Sequence, residues 1–135
     1  MKIINPDIGV TQMVIAGILT ISFFGNAFAQ EKGQIVRLAK LVIDSAQLEN
    51  YKAALKEGIE TAVRLESGVL TLYAVSEKNN PTHFTILEIY ANTEAYKSHV
   101  QTAHFLKYKN DTKGMVKSLE LVETIPLVPG MKIKR

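Results

Sequence analysis

The chain of 135 residues contains no cysteine and no tryptophan, and only three histidines and four prolines. Without cysteine it has no disulfide and no thiolate, so redox-stapled and thiol-nucleophile chemistries are excluded. A strong charge of one sign is also missing. The formal net charge is +3 and the charges are dispersed. The only basic run is the terminal Lys132, Ile133, Lys134 and Arg135, read as a solvated tail. Nucleic-acid binding needs a clustered basic face, and none is present. Low-complexity segments and internal repeats are absent too. With 47% hydrophobic and 21% charged residues, the composition is that of one globular domain.

No apolar run reaches the length of a comfortable membrane span. The longest, residues 13–24, has the length of a signal-peptide core and follows Lys2. Ala27 and Ala29 then form an A-x-A cleavage site, since signal peptidase accepts small side chains there. The expected organisation is a signal peptide over residues 1–29, cleaved after Ala29, and a domain over residues 30–135. The mature protein is expected to be exported, periplasmic or secreted, with no membrane span. A disulfide-free domain of about 100 residues buries a modest fraction of its surface, and dimerisation would supplement it.

What is present is a legible order of elements. Residues 35–44 are β-branched and apolar on both faces, a strand covered on two sides. Asp44 or Ser45 can cap a helix whose apolar stripe is Leu48, Tyr51, Leu55, Ile59, Ala62 and Leu65. Gly68 can end it in the left-handed conformation. Residues 69–77 and 83–91 read as a hairpin around a turn at 78–81, because Pro81 cannot continue a ladder. Asn92 or Thr93 caps a second helical region, Thr102 restarts it, and residues 110–114 break it. Residues 118–127 form a fourth strand. The order β-α-β-β-α-β is the ferredoxin-like split arrangement, an α+β fold with one four-stranded antiparallel sheet. Val36, Leu38 and Val42 alternate with Ile35, Ala39, Leu41 and Ile43, yet helices cover one face only. The uncovered face is expected to pair two copies as a homodimer.

The segment from Glu88 to Phe105 carries a specific pattern. A strand ends in Glu88-x-Tyr90, a helix follows with Ala95, Tyr96 and His99, and then come Thr102, His104 and Phe105. Over residues 35–127 the chain resembles the antibiotic biosynthesis monooxygenase domain, closest to its small quinol monooxygenase-like members. The resemblance implies a dimeric α+β barrel with a pocket between helices and sheet. It also implies oxygenation of electron-rich aromatic substrates, quinols or anthrones, without metal, flavin or other cofactor. Haem-degrading relatives of this fold need a tryptophan and a haem-ligating histidine. Here His99 falls at the tryptophan position and Lys109 near the ligand position, which disfavours haem degradation.

Cofactor-free oxygenation needs a base to form the substrate anion and neutral donors to stabilise it. Histidine suits the base role, and hydroxyl or amide groups suit the anion. The expected catalytic residues are His99, His104 and Asn92. The expected lining for a small aromatic molecule is Tyr73, Tyr90, Glu88, Tyr96 and Phe105. The bland reading makes Asn92 a cap and Tyr73 and Tyr90 sheet residues. For Glu88, a cross-strand bridge to Lys40 or Arg37 at the dimer interface is preferred over a base of raised pKa. No metal site is expected. His99 and His104 are five apart, roughly 140° on a continuous helix, and further ligands are not apparent. The competing function is a non-catalytic envelope protein holding an aromatic or lipophilic ligand.

Overall fold

The computed structural model describes residues 33–128; the expected leader, its cleavage site and the basic tail lie outside them. The elements are β1 (Ile35–Ile43), a 3-10 turn (Ser45–Gln47), α1 (Leu48–Leu65), β2 (Val69–Glu77), β3 (Asn80–Tyr90), α2 (Thr93–His99), α3 (Ala103–Thr112) and β4 (Val116–Glu123). All strand pairs are antiparallel, in the order β2-β3-β1-β4. This is the expected α+β ferredoxin-like sheet. Among the described residues no helix is long and apolar enough to cross a membrane.

Period-two alternation places one set of side chains beneath the helices. Ala39, Leu41 and Ile43 of β1 pack with Phe84 and Ile86 of β3 and with Tyr51 and Leu55 of α1. A second cluster joins Ala62, Val69 and Tyr90. The α1 stripe is the expected one except at its end, where Leu65 is 64% exposed. The opposite sheet face carries Val36, Leu38 and Val42, with Leu87 opposite Leu38 and Ile89 opposite Val36. No element among the described residues lies on that face.

Several local expectations are revised. The hairpin turn is Lys78–Asn79, and β3 already includes Pro81. The ladder with β2 tolerates the missing N–H because the register breaks between Ser76↔Phe84 and Glu77↔Asn80, which leaves residues 81–83 without regular partners on β2. Asp44 caps the short 3-10 turn by accepting from Ala46 N at 3.0 Å, and α1 starts only at Leu48. Helix α3 runs through Thr112, whose hydroxyl donates to Tyr108 O at 2.7 Å. β4 lies earlier than expected and stops at Glu123, ahead of Pro126, which has no N–H for a ladder. Gly68 does not adopt the left-handed conformation. A Cβ there would sit 2.5 Å from Ala95 Cβ, so glycine serves the close approach of α2 to the start of β2.

Candidate active site

The centre of the molecule depends on the break between α2 and α3. Thr102 Oγ1 accepts from Phe105 N at 3.2 Å and donates to His99 O at 2.8 Å. One side chain thus closes the first helix and opens the second. Asn92 does the same at the start of α2, accepting from Ala95 N at 2.8 Å. The turn in direction overcomes the five-residue spacing: the rings of His99 and His104 lie 6.4 Å apart, centroid to centroid.

A third group joins them. Glu66, which ends α1, places Oε2 2.9 Å from His99 Nδ1 and 2.6 Å from His104 Nε2. An ionised carboxylate only accepts hydrogen bonds, so both nitrogens donate. His99 Nδ1 and His104 Nε2 therefore each carry a hydrogen directed at Glu66. His99 is 6% exposed, enclosed by the Tyr90 ring at 5.3 Å and the Phe105 ring at 5.0 Å. Glu66 was not among the residues that the sequence pointed to. It is 33 and 38 residues from its partners, and a glutamate at a helix end reads as surface.

Glu88 stands beside this cluster on the helix-facing side of β3. Its Oε2 accepts from Tyr90 OH at 3.2 Å. Burial pushes the Glu88 carboxyl above its ordinary range, partly opposed by the Tyr90 hydrogen bond and the charges of Arg37 and His99. Burial and the neighbouring Glu88 likewise push the Tyr90 hydroxyl up, so it stays a donor. The expected Glu88–Lys40 bridge is not formed. Lys40 pairs with Thr85 and Glu120 on the opposite face, and alternation along β3 forbids contact. Arg37 does stand opposite Glu88 in register, but its guanidinium goes to Glu123 Oε1 at 2.6 Å. It also lies over the Tyr96 ring at 4.3 Å. Glu88 therefore belongs to the interior beneath the helices and not to the open sheet face.

Two cavities meet at this wall. The larger, about 430 Å³, lies between the helices and the β4 side of the sheet. Its lining includes Arg37, Glu88, Tyr90, Tyr96, Phe105 and Tyr108, with Leu119 and Leu121 of β4 on the apolar side. The smaller recess, about 60 Å³, is bounded by Leu55, Ile59 and Leu72 and receives His99 and His104. Ile86, Glu88, Phe105 and Tyr108 line both. Four of the five expected lining residues, Glu88, Tyr90, Tyr96 and Phe105, thus meet in the large cavity. Tyr73 does not join them. It is 67% exposed and borders a separate groove with Phe84. Asn92 is engaged as a cap. His99 and His104 open on the recess, which is smaller than the roughly 150 Å³ that a single benzene ring occupies in a protein cavity.

Arg37 and Glu123 are contributions that the sequence pattern did not single out for the site. Tyr51 and Tyr108 share a hydrogen bond of 2.8 Å, which holds Tyr108 against the cavity. An arginine on a strand otherwise apolar on that face was the available signal for Arg37.

A family model described as antibiotic biosynthesis monooxygenase matches residues 34–111. A Bacteroides thetaiotaomicron structure, provisionally named an antibiotic biosynthesis monooxygenase, is 57% identical. The match covers 76% of this chain and 97% of that one, with a TM-score of 0.75. A provisionally named monooxygenase from Lactobacillus acidophilus is 32% identical over 70% of this chain and 45% of its own length, with a TM-score of 0.68. A Nitrosomonas europaea structure at 22% identity, covering 74% of this chain and 95% of that one, shares the fold with a TM-score of 0.67. Comparison with the curated proteins finds no match.

Proposed function

Because the chain belongs to the antibiotic biosynthesis monooxygenase family, we propose that it is a cofactor-independent monooxygenase of quinols or similar electron-rich aromatics. The observation that carries this reading is the Glu88–Tyr90 pair on the wall of an aromatic cavity of about 430 Å³. That volume is in the range of small-molecule sites and exceeds a single ring. Tyr96, Phe105 and Tyr108 offer faces for a planar substrate.

In this proposal Glu88, when ionised, takes the proton of a substrate hydroxyl. A carboxyl of raised pKa is a better base for a phenol than an ordinary glutamate. The Tyr90 hydroxyl and the Arg37 charge then face the resulting anion. The phenolate passes an electron to dioxygen, the two radicals join at a ring carbon, and the hydroperoxide loses water. A quinol and dioxygen thereby give a hydroxyquinone and water, all electrons coming from the substrate. His99 lines the recess next to Glu88, and Glu66 orients both histidines.

The proposal includes export by the leader expected at residues 1–29 and pairing of two copies through the open sheet face. The test is anaerobic purification, addition of a series of reduced quinols and anthrones, and measurement of oxygen uptake. Acceleration over buffer is expected for at least one of them. Saturable binding with no product would favour the non-catalytic envelope protein instead.

A further inference from the structure

The cluster of Glu66, His99 and His104 lies beside the substrate cavity rather than in it, and oxygenation through Glu88 does not need its convergence. One ligand atom from each residue lies within 4.8 Å of the other two. Each comes from a different place in the fold: the end of α1, the end of α2 and the first turn of α3. The two nitrogens already converge on one carboxylate oxygen, at 2.9 and 2.6 Å. Bonds of about 2.0–2.1 Å to a tetrahedral ion would hold such donors roughly 3.4 Å apart. The recess of about 60 Å³ opens on both histidines and gives the ion an approach and a position for water.

We infer that Glu66, His99 and His104 form a binding site for a divalent transition-metal ion of the zinc class. Two imidazoles and one carboxylate suit a borderline ion, whereas magnesium and calcium prefer all-oxygen shells. Coordination replaces the two N–H···O bonds. Each coordinating nitrogen gives up its proton, to the other ring nitrogen or to solvent. The ion ties three helix ends together in a domain that has no cysteine with which to staple itself. It therefore raises thermal stability as well as binding to the folded chain.

The experiment is titration of the tag-free full chain, stripped with chelator, with zinc chloride. Calorimetry and thermal melting are read on the wild type and on Glu66→Gln, His104→Asn and His83→Ala. Expected are one ion per chain, a melting temperature that rises with zinc, and affinity at least about tenfold weaker in both Glu66→Gln and His104→Asn. His83→Ala, on the opposite sheet face, should bind as the wild type does. Glu66→Gln keeps the side chain's shape, so its metal-free melt shows whether the fold survives independently of the ion. Absence of binding by the wild type overturns the inference. So does unchanged affinity in Glu66→Gln and His104→Asn, or its loss in His83→Ala. None of these readouts uses oxygenation.

Discussion

Glu88 carries a consequence that can be worked out in sign. Its folded-state pKa is raised by burial, so the folded chain holds this proton more tightly than the unfolded chain. Stability from this group is then present at acid pH and is lost as pH rises through the raised value. Glu88→Gln should melt higher than the wild type at neutral and alkaline pH, with the difference closing toward acid, in melts taken across a pH series. If the reaction uses Glu88 as base, kcat/KM should rise with pH through an apparent value above the ordinary 4.5. Gly68→Ala should cost about 1–3 kcal/mol in denaturant unfolding, because the new methyl meets Ala95. The caps at Asn92 and Thr102 were legible in the sequence, since a cap bonds its own next turn. Glu66 and Gly68 were not, since their roles depend on groups brought near by the whole fold.

At the scale of elements, the break between α2 and α3 decides what the histidines can do. Read as a continuous helix, the spacing of His99 and His104 sends the rings apart; Thr102 turns α3 and brings them to one carboxylate. Thr102→Ala removes the cap of α3 and the bond back to His99 O. It should destabilise by about 1 kcal/mol. It should also weaken the protection of the His104 Nε2–H against solvent exchange, as read by imidazole proton–nitrogen NMR. The strands were legible from alternation, but their ends were not. Residue-level breakers misplaced β3 because the irregular pairing around Pro81 accommodates it. They misplaced β4 because its limit comes from pairing with β1, whose register runs from Ile43 to Arg37.

For the whole molecule, the open sheet face is the feature most directly traceable to sequence. Leu38 and Leu87 stand opposite each other at its middle, flanked by Val36 and Ile89. Such a contiguous apolar surface is more than a soluble monomer usually exposes. Sedimentation should show a dimer, and Leu38→Asp should shift it to monomer by placing a charge at the centre of the seam. The cavity under the helices was foreshadowed only as a set of aromatic positions. Its split into a substrate-sized chamber and a small recess depends on how Phe105 and Tyr108 pack between them, which no local pattern encodes. The central claim is that the large chamber oxygenates an aromatic substrate with Glu88 as base. It is tested most directly by supplying a reduced quinol with isotopically labelled dioxygen and weighing the product, for the wild type and Glu88→Gln. One labelled oxygen atom per product is expected from the wild type, with turnover at least about a hundredfold lower in Glu88→Gln. Unlabelled product, or equal rates in wild type, variant and buffer, would contradict it.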